Sequence, residues 1–414
     1  MGLLRLFLAA VVALGHFQVC ILLPLNGSAV DIVNYLKLGH DAGHAVIFFF
    51  VISGFLISYA LEHKYKTDST GFYTARFLRI FPLYWFLYGL MIVFDYAGTA
   101  QNIKSSPVLD WLPGLILFGS DWAVSFLHYP DRFMEEFPAF LRQAWSLGAE
   151  VTFYALAPFL LLRRRLCVIV LLISIVIRSI IVYQVGFIET WSLHFFPATL
   201  MFFLLGHFSR LLYLKIGCHL GSLNHLWVPI FFGLSLYNVT TALPFDGWVF
   251  YLELVALVGA LPFLFERTKD IRWMNVLGDQ SYPLYLSHLL TMSLLAFVPT
   301  LLTQLGEGDQ GLLSGSPIEF RFVVYAVAFL LGALLVSFLL HYLVEQPVSA
   351  LGAQVLIRRW WWRVPRRLKP VSPSFALQRQ PLPGHSETRS REAAPGARIL
   401  MKKFDEPASG RHML

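Results

Sequence analysis

The sequence predicts an all-α integral membrane protein, a bundle of about ten transmembrane helices with both termini in the cytoplasm. Three observations carry that expectation. Hydrophobic residues make up 57% of the 414-residue chain and charged residues only 14%, against about 25% charged in a typical soluble domain. Ten apolar runs are long enough to cross a bilayer, near 3–23, 42–61, 80–97, 145–162, 166–185, 192–213, 226–243, 248–265, 282–303 and 320–342. The basic residues also alternate between connecting loops. Lys64, Lys66, Arg76 and Arg79 follow the second run, Arg163, Arg164 and Arg165 the fourth, Arg210 and Lys215 the sixth, and Arg267, Lys269 and Arg272 the eighth. Loops 186–191, 244–247 and 304–319 carry none. Positive loops stay in the cytoplasm, so an even helix number follows.

The first run, LLRLFLAAVVALGHFQVCILLPL, has one positive charge before an apolar stretch longer than a signal-peptide core. It is read as a retained helix. Arg5 and His16 are eleven residues apart, which on a helix returns to within roughly 20° of the same direction, about 16 Å further along. Arg5 then sits near a membrane surface and His16 near mid-depth. An ionisable group at that depth is costly and points to a functional site facing the interior; the alternative is a histidine bonded to a neighbouring helix for packing.

In the second run Ser53 and Gly54 interrupt FFFVISGFLI, small residues that permit close helix approach. His40, Asp41 and His44 stand near its outer start, but no third ligand has suitable spacing, so no metal site is expected. Arg76 and Arg79, three apart, face the same way on a helix. Paired guanidinium forks at the cytoplasmic mouth suit phosphate, while topological anchoring accounts for them equally simply. The short run Trp111 to Phe118 contains Pro113 and reads as interfacial or re-entrant. Glu150 follows the outer start of the fourth run, placed to accept a sugar hydroxyl or orient a histidine, or merely to favour the helix dipole. Arg178 lies deep in the fifth run, where it is expected either to pair with a carboxylate such as Glu253 or to line the same cavity. The run 226–243 is short, with a polar end. Ser281 and His288 are seven apart on one face of the ninth helix, and Glu345 stands at the end of the tenth, before Pro347.

Cys20, Cys167 and Cys218 have neither disulfide nor metal spacing. Beyond Arg358, Arg359, Trp360, Trp361, Trp362 and Arg363, an interface anchor, residues 364–414 hold ten Lys/Arg against four Asp/Glu. Much of the net charge of +7 is therefore in a tail expected to be disordered and drawn to anionic lipid. It is not a nucleic-acid surface. Two parts are expected: a membrane domain, 1–350, and a basic cytoplasmic tail, 351–414.

Six blocks in order resemble acyltransferase family 3, the bacterial multi-spanning O-acyltransferases of surface carbohydrates. They are Arg5 with His16, FFFVISGFLI with Ser53, RFLRIFPLYW with Arg76 and Arg79, WSLGAEVTFYALAP with Trp145 and Glu150, LGDQSYPLYLSH with Ser281, Tyr282 and His288, and VEQP with Glu345. The resemblance implies transfer of an acyl group, commonly acetyl, from cytoplasmic acyl-CoA to a hydroxyl of a cell-surface or lipid-linked saccharide, in the bacterial inner membrane. It assigns catalysis to His16 as general base with Arg5 and Glu150, and donor binding to Arg76 and Arg79. Ser53, Trp145, Tyr282, Ser281, His288 and Glu345 become substrate-binding or structural. Acyl-CoA is a co-substrate, and no bound cofactor is expected. The chain departs from the pattern at Ala45, Val46 and Ile47, where many members carry an acid, and at Gln346, where many carry Arg. The soluble hydrolase-like domain of some members is expected to be absent, leaving such a step to a separate extracytoplasmic partner. A different class, a secondary transporter or flippase for a lipid-linked or anionic substrate, also fits ten helices with intramembrane Arg and His, but the paired repeats of such folds are not evident.

Overall fold

The computed structural model describes residues 1–18, 38–66, 68–96, 115–118, 121–122, 143–185, 190–216, 224–241, 247–305 and 318–350. Among them there is no strand. Eleven α-helices follow one another: α1 (Gly2–Phe17), α2 (Leu38–His63), α3 (Ser69–Tyr96), α4 (Trp145–Leu160), α5 (Arg164–Val185), α6 (Phe196–Ile216), α7 (Trp227–Thr241), α8 (Trp248–Thr268), α9 (Arg272–Asp279), α10 (Ser281–Leu305) and α11 (Ile318–Leu340). A π turn, Thr190–His194, leads into α6, and another, His341–Glu345, follows α11. The expected tail, 351–414, most of the loop 98–144 and the side chains of His40 and Asp41 lie outside the described residues.

Among the described residues five stretches are long and apolar enough to cross a membrane: Ala42–His63, Arg164–Gln184, Phe196–Lys215, Trp248–Thr268 and Val323–Ala350. Their burial differs sharply. On α5, Ile169, Leu172, Ile173, Val176 and Ile180 are all exposed. A contiguous apolar helix face of that size is not stable in water; it is the face that meets lipid. The chain is a multi-pass membrane protein. α1 is apolar but only 16 residues long, and α7, in the short expected run 226–243, has 15.

The centre is built around α2, whose widest contacts are with α6 and α1. Lipid is as apolar as leucine, so helices in a bilayer associate by close packing rather than by burial from water. Two glycines make that approach possible. A Cβ on Gly54 would lie 1.8 Å from the Phe203 carbonyl oxygen, and one on Gly206 would lie 1.9 Å from that of Val51. Around this contact the rings of Phe50 and Phe153 stack on Phe203 with centroids 4.5 and 4.4 Å apart.

Three expectations are corrected. Arg76 and Arg79 are not in a loop: α3 begins at Ser69, well before the apolar run, because the Asp68 side chain caps it by accepting from the Gly71 amide at 2.8 Å. The chain between α8 and α10 is not a simple loop either but contains α9. It packs against the start of α1, where a Cβ on Gly278 would lie 2.2 Å from the Gly2 Cα. Arg178 donates to the Ser192 carbonyl and lies over the Phe202 ring, 4.8 Å from its centroid. Glu253 is met instead by Ser235 and by Asn238, which also donates to His44 at 3.0 Å.

Candidate functional site

Helices α1, α2, α3, α4 and α10 enclose a partly open cavity with about 860 Å³ of empty volume. Its polar wall is built from Arg5, Ser53, Arg76, Arg79, Ser146, Glu150, Tyr154, Ser281, Tyr282 and Tyr285. Three guanidinium groups therefore converge, from α1 and from two successive turns of α3, on a space whose lining holds one carboxylate.

Each charge is held differently. Arg79 pairs with Glu345, whose other oxygen meets His341 Nδ1 at 2.9 Å. Those two residues bracket the π turn, which lies where Pro347 cannot supply an amide to the Leu343 carbonyl. The Arg79 guanidinium also lies 5.6 Å from the Tyr282 ring, and Tyr282 donates to the Ile80 carbonyl at 2.6 Å. Arg76 lies 5.8 Å from the Tyr154 ring. Glu150 accepts from Ser53 at 2.6 Å and from Tyr154. The Nε atoms of Arg5 and Arg76 are buried without a hydrogen-bond partner among the described residues. A buried donor left bare costs roughly 1–3 kcal/mol, so the cavity is short of acceptors. Converging guanidinium forks of this kind can hold an anion with several oxygens.

The histidines lie elsewhere. His16 is about 16 Å along α1 from Arg5 and is not among the lining residues. Its ring lies edge to edge with that of His288, with centroids 5.1 Å apart and planes at 29°. His288 is fully buried. The link between cavity and histidines is Tyr285: its side chain lines the cavity and meets Ser146 at 2.6 Å, and its carbonyl oxygen lies 2.6 Å from His288 Nδ1. Gln143 ties the same segment down, donating to the Leu286 carbonyl at 2.8 Å.

Of the residues singled out from sequence, Arg5, Ser53, Arg76, Arg79, Glu150, Ser281 and Tyr282 are thus brought together, with Glu345 directly behind Arg79. His16 and His288 form a second centre. Trp145 belongs to neither: its ring packs on His194 at 4.0 Å between centroids. Glu150 is not on a separate acceptor side, as expected from its helix start, but in the arginine cavity. The long α3 side chains reach across to it. Ser146, Tyr154, Tyr285 and His341 were not foreseen. Tyr154 and Tyr285 stand four residues after Glu150 and Ser281, and His341 four before Glu345, so each shares a helix face with a residue that was.

The sequence profile of the family described as Acyltransferase domain matches residues 1–342. Among curated proteins, the chain is similar to O-acetyltransferase OatA of Staphylococcus aureus, 26% identical over 282 residues covering 58% of this chain and 44% of that protein. It is also similar to the exopolysaccharide production protein ExoZ of Rhizobium meliloti, 27% identical over 285 residues covering 63% of this chain and 80% of the relative. The chain thus spans less than half the length of OatA. No solved structure matches it.

Proposed function

The chain belongs to the acyltransferase domain family, and on that premise we propose that it moves an acetyl group from cytoplasmic acetyl-CoA to a hydroxyl of a cell-surface or lipid-linked saccharide. The observation that carries the proposal is the convergence of Arg5, Arg76 and Arg79 on one cavity, with two buried Nε donors unmet. Guanidinium forks match phosphate oxygens in shape and charge. The printed names of the two relatives, an O-acetyltransferase and an exopolysaccharide production protein, suggest the transferred group and the acceptor class.

In this reading ten spans place both termini in the cytoplasm, as the basic loops require, and the arginine cavity opens to that side. The donor's phosphates rest on Arg5, Arg76 and Arg79 while its thioester arm extends along α1 toward His16. There the acceptor hydroxyl loses its proton to the imidazole, whose ordinary acid–base range suits it to the task. Its oxygen bonds to the thioester carbonyl carbon, the carbon–sulfur bond breaks, and the departing thiolate takes up the proton.

The test is the mass of the surface glycans from a strain lacking the gene and from the complemented strain, with labelled acetate supplied. Loss of an acyl mass in the deletion and its return on complementation, with label on the glycan, is the expected result. Identical glycans overturn the proposal, and label taken up without reaching the glycan points to a transporter. Donor binding has its own check. Arg76→Ala combined with Arg79→Ala removes two charged donors, each worth about 1.5–3 kcal/mol, so calorimetric affinity for CoA falls by on the order of 10²-fold or more. Unchanged affinity means that the pair serves topology alone.

A further inference from the structure

Resting on the O-acyltransferase reading above, we propose that His288 is a positioning residue that fixes the tautomer and orientation of His16, leaving His16 Nε2 as the basic atom of the site. The assignment follows from which atoms can donate. The Tyr285 carbonyl oxygen, 2.6 Å from His288 Nδ1, can only accept, so His288 Nδ1 carries hydrogen. In a neutral imidazole the other nitrogen is then bare. That bare Nε2 lies 3.1 Å from His16 Nδ1 and must accept from it. The second neighbour of His16 Nδ1 is the Val12 carbonyl, also at 3.1 Å, and it too can only accept. Both neighbours demand the same hydrogen, and one proton arrangement satisfies the whole row.

His16 Nε2 is therefore the nitrogen of the pair that holds a free lone pair. The Val12 carbonyl does not secure this alone, because it lies four residues before His16, where the helix amide already claims it. His288 supplies the undivided acceptor. It is fully buried and anchored through Tyr285, whose hydroxyl side is held by Ser146 and Gln143. When His16 Nε2 takes the acceptor's proton, the new imidazolium keeps donating through Nδ1 to His288 Nε2, and the charge is shared along a row ending on a backbone carbonyl. A second imidazole here does what a carboxylate does for other catalytic histidines.

The experiment uses the full-length chain in membranes, with labelled acetyl-CoA as donor and the strain's own glycan as acceptor. His288→Phe keeps an aromatic ring and removes the acceptor. His288→Gln keeps both an acceptor for His16 and a donor for the Tyr285 carbonyl. We expect His288→Phe to lower kcat by on the order of 10²-fold with the KM for acetyl-CoA little changed, and His288→Gln to recover most of that loss. Nitrogen-15 magnetic resonance of labelled histidines, assigned with His16→Ala, reads the tautomer without reference to activity. Hydrogen on His16 Nδ1 in the unaltered chain, shifting to Nε2 in His288→Phe, supports the proposal. Hydrogen on Nε2 in the unaltered chain overturns it, as does a folded His288→Gln no faster than His288→Phe. If instead His16→Ala transfers acetyl at full rate, the base assignment itself falls, whatever the spectra show.

Discussion

His16→Ala is expected to cut acetyl transfer by on the order of 10³-fold, within the range general-base groups contribute, while membrane abundance and CoA affinity stay at the level of the unaltered chain. The separation of the two centres makes this sharp. His16 is not among the cavity-lining residues, so its loss leaves Arg5, Arg76 and Arg79 in place for the donor. Truncation at His16 removes an imidazole that meets His288 through its Nδ1 and strips the acceptor hydroxyl of its proton sink. The measurement is glycan acetylation in a deletion strain carrying the variant at matched protein level. Full acetylation there would falsify the base role. Arg5→Ala is the complementary case: it removes cavity charge without touching the imidazole, so its defect is expected in the KM for the donor and to be overcome by excess acetyl-CoA.

Gly206→Leu is expected to prevent assembly of the membrane domain altogether. A Cβ at that position already lies 1.9 Å from the Val51 carbonyl oxygen and 2.8 Å from the Phe55 amide nitrogen, and the obstacle is backbone, which cannot rotate aside. The α2–α6 contact must then open by several ångströms, taking with it the Phe50–Phe203–Phe153 stack. Overpacking of ordinary cores costs about 1–3 kcal/mol; a backbone collision at the centre of the bundle belongs to the rarer class above about 4 kcal/mol. Thermal unfolding and size-exclusion profiles of the detergent-solubilised protein read the effect. Gly89→Leu serves as the control, because nothing lies within 4 Å of a Cβ there and its profile is expected to match that of the unaltered chain.

Much of this site is written in local spacing. The eleven residues from Arg5 to His16 and the three from Arg76 to Arg79 fix shared helix faces whatever surrounds them, and both pairs do point inward. Spacing fails where the partner is distant in sequence. His16 and His288 are 272 residues apart, and only the packing of α1 on α10 shows that they touch. Glu150 shares a cavity with the arginines for a related reason: its own helix start shows its depth but not the reach of the α3 side chains toward it. The basic residues before the third apolar run read as a loop because positive charge marks loops, whereas the Asp68 cap starts α3 ahead of them. Helix α9 escaped because it is too short and polar to register as a span, although it seats the first turn of α1.

The helices differ in how they are fastened. α2 and α6 interlock through glycines and rings, and α1 is seated on α9 through Gly2 and Gly278, whereas α3 meets the rest of the described chain mainly at α4, α10 and the His341–Glu345 turn. Several of its attachments are polar: the Arg79–Glu345 pair, the Ile80 carbonyl to Tyr282 and the Tyr73 hydroxyl to the Ala155 carbonyl. Polar links can be exchanged one for one with those of an arriving anion, whereas interlocked glycines cannot be separated piecemeal. Mechanical compliance is thus expected in the wall that carries Arg76 and Arg79 rather than in the α2–α6 core. On the proposed reading, an anion that loosens Arg79 from Glu345 would deform α3 and leave the imidazoles, which lie outside the cavity lining, in register.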